Sequence, residues 1–234
     1  MNIYFLVEGN EKSIFPEWFK TLLPGYTQIS HPADADANNF YIISGGGYPS
    51  LLDDVLDGAI DDINQFGKYS RLIICIDSDE STVLERRNEV IEKIEEKTIA
   101  LNDNCKPEIV VENRCFETWM LGNKDYYKKS LDNEKFETYQ KHYNVSKSDP
   151  ELMVVPTFEL KYKSIGKFHK NYLKLMIANY MELLGRKHKI GKYPKITQTP
   201  EYLSGIISRT NSEKDHLNSF RYFREILNKI HQIT

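Results

Sequence analysis

The chain has 234 residues, 40% hydrophobic and 28% charged, enough for one core of ordinary size or for one domain with an appendage. No stretch approaches the roughly 18 consecutive apolar residues that mark a membrane-spanning helix, and Cys75, Cys105 and Cys115 form neither a disulfide framework nor a zinc pattern. The formal net charge of −3 hides an asymmetry: residues 161–234 hold 15 Lys and Arg against 5 Asp and Glu, whereas residues 1–160 hold 16 against 29.

Ile3-Tyr4-Phe5-Leu6-Val7 is an apolar run that predicts a buried strand over about residues 2–7, and it passes directly into Glu8-Gly9. A strand begins at once and no basic segment precedes it, so no signal peptide is expected. A reducing cytoplasm is the expected location and suits the unpaired cysteines. Gly9 permits a tight exit. Asn10, Glu11 and Ser13 suit the cap and first turn of a helix over about 11–23, where negative charge favours the helix N-terminus. Residues 24–39 are polar and turn-rich. A second strand over about 40–43 runs into Ser44-Gly45-Gly46-Gly47, and a helix follows from about Pro49 to Phe66. Bare glycine amides ahead of a helix can hold a phosphate, although an ordinary turn has the same composition. The spacing is not that of a nucleotide-binding P-loop, so the chain shows no ATPase of its own.

Leu72-Ile73-Ile74-Cys75-Ile76 predicts a third buried strand over 71–76, and it stops abruptly in Asp77-Ser78-Asp79-Glu80. Alternate residues of an extended chain point the same way, so Asp77 and Asp79 converge. Two converging carboxylates repel each other unless a cation lies between them, and hard oxygen ligands suit Mg²⁺ or Mn²⁺. The competing reading makes Asp79 the cap of the next helix. That helix is expected over about 80–101, with Val83, Leu84, Val90, Ile91, Ile94 and Ile99 as its apolar face. A fourth strand over about 107–111 leaves through Glu112. The β-α-β-α-β-α-β order predicts an α/β fold with a parallel four-stranded sheet flanked by helices. Ligands of such sheets bind outside the carboxyl ends of the strands, where these acids fall.

The texture changes past Cys115. Phe116, Trp119 and Met120 fit a short helix, residues 124–160 show no clear period, and helical spacing returns over about 165–184 and 199–231. The expected organisation is therefore a catalytic domain over 1–125 with a basic, mainly helical extension over 126–234. The basic residues are interleaved with aromatics, as around Tyr162 and Phe168, a mixture that suits phosphates and unstacked bases. The alternative is solvated lysines over an aromatic core. Lys163, Lys167, Lys187, Lys189, Lys192 and Arg221 are the candidate nucleic-acid contacts.

A strand ending in Glu-Gly near the N-terminus, followed later by a hydrophobic strand ending in Asp-x-Asp, resembles the Toprim domain of topoisomerases, primases and OLD-type nucleases. Glu8, Asp77 and Asp79 are the matching residues. Val111 to Leu121, which contains Glu112 and Glu117, resembles a segment of stand-alone Toprim-like proteins of bacterial defence systems. The resemblance covers roughly residues 1–125. It implies a Toprim-like fold in which Asp77 and Asp79 hold Mg²⁺ or Mn²⁺ and Glu8 transfers a proton or joins the metal shell. Glu112 and Glu117 would supply further carboxylates, Glu117 on the catalytic side and Glu112 toward a second ion. The implied activity is metal-dependent cleavage of DNA or RNA by a phage-defence effector, with an ATPase encoded nearby as a partner and no membrane. The residues do not fix an oligomeric state. Two rival readings remain. One is a haloacid-dehalogenase-type phosphatase using Asp77 in Asp77-Ser78-Asp79-Glu80-Ser81. The other is a non-catalytic module that binds nucleic acid or a partner.

Overall fold

The computed structural model describes residues 1–9, 11–96, 100–130, 133–157, 164–186 and 195–233. They form two compact units, residues 1–112 with 222–234 and residues 113–221. No helix among the described residues is long and apolar enough to cross a membrane.

The first unit alternates strand and helix. β1 is Ile3–Val7, α1 Glu11–Leu22, β2 Thr27–Gln28, β3 Asn39–Ser44, α2 Leu56–Phe66, β4 Arg71–Asp77, α3 Val83–Glu95 and β5 Lys106–Glu112. The strands form one sheet in the order β2-β3-β1-β4-β5, and each neighbouring pair is parallel. The α/β class follows the sequence. The sheet has a fifth strand, β2, whose two residues are exposed and carry no apolar pattern. β1 is central and buried along its whole length, which is why it reads as a continuous apolar run.

Side chains alternate across the sheet and build a core on each face. Tyr4, Leu6, Leu72, Ile74 and Ile76 meet Leu56, Ala59, Ile60 and Ile63 of α2 and Val90 of α3. On the other side Phe5 lies 4.7 Å from Phe19 between ring centres, and Phe15 stacks at 5.2 Å on Phe223. Full burial of one such side chain stabilises by about 1.5–3 kcal/mol over exposure. In α3, Val90 is buried and Ile91 and Ile94 partly so, but Val83 and Leu84 face water. Among the described residues the expected apolar stripe is therefore confined to the later turns, and Ile99 lies outside them.

The second unit is mainly helical. α4 (Phe116–Leu121) is buried at every position. It is followed by α5 (Glu134–His142), α6 (Ile165–Leu183), α7 (Pro200–Ser212) and the start of α8 (Asn218–Ile233), whose residues from Tyr222 belong to the first unit. The long helical pattern expected over 199–231 is broken at Glu213–Leu217, where Leu217 takes a left-handed φ of 49°. Polar bonds tie the unit together. Arg209 is buried and donates to the carbonyls of Gly122 and Val145, and Tyr202 Oη donates to the carbonyl of Met120 at 2.8 Å. The Glu151 carboxylate accepts from the amide and hydroxyl of Ser219.

Candidate metal centre

Three adjacent parallel strands bring acids to one edge of the sheet. β1 passes into Glu8, β4 ends at Asp77 and β5 ends at Glu112, with Asp77 and Glu112 in register. The amide of Glu8 continues the ladder to the Cys75 carbonyl at 3.0 Å, and the amide of Ser78 reaches the Glu112 carbonyl at 3.0 Å. The strands thus fix the acids through backbone bonds before any side chain acts. Carboxyl oxygens of Glu11, Asp77 and Glu112 lie within 4.8 Å of one another. Glu11 comes from the first turn of α1, and its Oε2 also accepts the Gly9 amide at 2.7 Å.

Glu112 is fully buried, and neither of its oxygens meets a hydrogen-bond donor among the described residues. Burial is the main force pushing its pKa far above the usual carboxylate range, and the charges of Glu11, Asp77 and Glu8 push it further. Glu112 and Asp77 can hydrogen-bond to each other only when one of them holds a proton. An ionised carboxylate without a donor is costly in such a place. A proton or a cation must offset the charge. Three converging carboxyl oxygens, one of them without a donor, form a donor set that fits a hard divalent cation such as Mg²⁺ or Mn²⁺.

Glu8 sits beside this group. Its Oε2 accepts the Asp77 amide at 2.9 Å and its Oε1 the Tyr48 amide at 3.3 Å. Burial raises its pKa most, and the charge of Asp79 adds to the rise. The two amides and Arg86 oppose it. Glu8 is therefore an oriented carboxyl that holds a proton more readily than an ordinary glutamate, as a group that exchanges protons requires.

The glycine loop explains how Glu8 is held. The Gly45 amide donates to the Val7 carbonyl at 2.7 Å, the Gly47 amide to the Glu8 carbonyl at 2.9 Å, and the Gly46 amide to Ser44 Oγ at 3.3 Å. These amides bind the protein itself, which fits the ordinary turn of the two readings and not a phosphate cradle. A Cβ at Gly45 would lie 2.5 Å from the Cβ of Leu51, which restricts the position to glycine.

The candidates from the sequence separate accordingly. Asp77 and Glu112 fall in the cluster and Glu8 borders it. Asp79 is partly buried at a left-handed φ of 48°, near enough for its charge to raise Glu8, but it is not one of the three clustered ligands. It is not the cap of α3 either; Thr82 is, in a capping box with Glu85. Glu117 is buried in the second unit, where Lys170 pairs with it at 3.0 Å. Lys167 is exposed on α6, and Arg221 donates to the carbonyls of Glu213 and His216. Lys163, Lys187, Lys189 and Lys192 lie outside the described residues. Glu11 escaped the sequence reading because an acid in a first helical turn has an ordinary explanation as a cap. The available signal was its position, three residues past Glu8 and so on the first turn beyond the same strand end. Compared with protein-family models, curated proteins and solved structures, the chain matches none.

Proposed function

We propose that the chain is a Mg²⁺- or Mn²⁺-dependent nuclease of Toprim type that hydrolyses phosphodiester bonds. The observation that carries this reading is the group of Glu11, Asp77 and Glu112 at the carboxyl edge of a parallel sheet, with a buried glutamate that no donor among the described residues satisfies. The chain order supports it: Glu-Gly follows one strand and Asp-x-Asp a later one, with the two strands adjacent in the sheet. Glu11, Asp77 and Glu112 would hold the cation, with Asp79 at the margin. Held by these residues, a divalent cation would supply Lewis-acid polarisation of a phosphoryl oxygen and orientation of a water. Glu8, fixed by the amides of Asp77 and Tyr48, would hold or accept the proton that moves during cleavage. Glu117 stays outside this assignment because Lys170 already neutralises it. The resemblance extends the proposal to a phage-defence effector working with a separate ATPase.

The test is incubation of the purified chain with DNA and RNA, with Mg²⁺, with Mn²⁺ and with a chelator. Cleavage should require the cation, and Asp77→Ala should abolish it while leaving the fold intact. Cleavage that survives chelation, or cation affinity unchanged in Asp77→Ala, would overturn the reading.

A further inference from the structure

The geometry points to Tyr48 as a platform on which one unpaired nucleobase of the substrate stacks. This inference rests on the nuclease reading and narrows its substrate to nucleic acid that is single-stranded at the cleavage point.

Tyr48 follows the glycine loop, and its backbone amide is one of the two that hold Glu8. Its side chain points to a different purpose. The ring hydroxyl donates to Glu89 Oε1 at 2.6 Å, and the Arg86 guanidinium lies over the ring, 3.9 Å from its centre. Arg86 itself pairs with Glu89 Oε2 at 2.6 Å. Ring, guanidinium and carboxylate therefore close a triangle that fixes the aromatic plane. Arg86 is almost fully buried, whereas Tyr48 remains 43% exposed. A tyrosine needed only to tether the loop would gain more from burial, since its ring carries a large hydrophobic area.

A fixed aromatic ring with open surface has already lost the freedom that binding would otherwise remove, so stacking on it is entropically inexpensive. The guanidinium beneath adds cation–π attraction to the stack. Every base has a π-face, so the platform tolerates any sequence. A base inside a duplex cannot offer that face; it must be unpaired or extruded. Because the Tyr48 amide touches the Glu8 carboxylate, a stacked base places its own phosphate next to the acidic edge.

The test compares a short oligothymidylate with an abasic oligomer of the same length, binding to the full chain with Ca²⁺ in place of the active cation. The wild type should prefer the oligomer that carries bases. Tyr48→Ala should weaken oligothymidylate binding by roughly 5- to 150-fold and erase the preference, while Tyr48→Phe and Tyr48→Trp keep it. Oligothymidylate should also quench the indole introduced by Tyr48→Trp, a readout that stands even where Tyr48→Ala fails to fold. Mg²⁺ affinity by calorimetry should be the same in all variants. If the wild type cleaves nucleic acid but Tyr48→Ala retains the base preference, or the indole is not quenched, the stacking inference is wrong and the nuclease reading survives. If the wild type neither binds nor cleaves any nucleic acid, both fall together.

Discussion

The Glu8 carboxylate accepts the backbone amide of Asp77 across the gap between β1 and β4, at 2.9 Å. The bond fixes one acid by the backbone of another and leaves the Asp77 side chain to converge with Glu11 and Glu112. Residues 69 apart in sequence are thereby set by the sheet itself, because the register of β1 on β4 places Val7 opposite Cys75.

Glu8→Gln should separate proton transfer from cation binding. Glutamine keeps the shape and the carbonyl oxygen that can accept the Asp77 amide, but it cannot exchange a proton. Cleavage should fall by about 10²–10⁴-fold, the usual contribution of a general acid or base, with Mg²⁺ affinity retained. Steady-state cleavage and calorimetry on the same preparation check this. Lost cation binding would make Glu8 a ligand, and near-normal cleavage would remove it from the mechanism.

His169 should set part of the acid limit of stability. It is fully buried, its Nδ1 lies 2.8 Å from Thr118 Oγ1, and burial depresses its pKa from 6.5 to about 4. The unfolded chain therefore takes the proton first as pH falls. Stability contributed by neutral His169 is complete above about pH 6.5 and is lost as the pH drops toward about 4, a loss of about 3 kcal/mol. His216 is shifted the same way, also to about 4, and acts in the same window. Denaturant midpoints between about pH 7 and pH 4 should decline less steeply in His169→Gln, which should also be less stable at neutral pH. An unchanged decline would show that His169 is not held neutral in the fold.

The parallel strands and their acidic ends were legible because burial on both faces writes a continuous apolar run, and the run stops where the strand reaches the site. Asp77 and Glu112 were readable for that reason. Glu11 was not, since its convergence on them depends on where α1 begins, and a helix-capping acid looks the same in one dimension. β2 left no pattern because neither of its residues is buried. Tyr48 and Arg86 were invisible for another reason: their pairing joins a loop to a helix 38 residues away, which no local period records. Within 124–157 the described residues fold as short 3-10 turns at Lys124–Tyr126 and Pro150–Leu152 around α5, too brief for a period to show. The return of the chain from Tyr222 to the first unit depends on contacts such as Phe15 with Phe223, which are remote in sequence.

The basic stretch around Lys187, Lys189 and Lys192 should act through phosphates. Each lysine that neutralises a phosphate releases a counterion, which makes affinity fall with salt. Changing all three to Gln should reduce the slope of log affinity against log salt by about 2 on single strands and about 3 on duplex DNA. Equal affinity and equal slope in the triple variant would mean that these lysines are only a solvated surface.

Glu112→Gln tests whether the buried cluster is balanced by a cation or by protons. In the chain without cation, folding forces Glu112 either to take up a proton or to bury a charge beside Asp77 and Glu11, where no donor among the described residues reaches its oxygens. Replacing it with an amide removes that cost and supplies a donor for its acidic neighbours. The metal-free variant should therefore unfold at a higher temperature than the metal-free wild type, by the equivalent of about 1–3 kcal/mol. The order should reverse with Mg²⁺ or Mn²⁺. A ligand at 100 times its Kd stabilises the folded state by about 2.7 kcal/mol, and the wild type should gain on that scale while Glu112→Gln gains little. Thermal melts with and without the cation decide it. A wild type indifferent to both cations would mean that Glu112 and Asp77 share a proton and that the cluster is a buried acid pair with no metal. A variant that responds as strongly as the wild type would take Glu112 out of the ligand set and leave Asp77 and Glu11 to hold the ion.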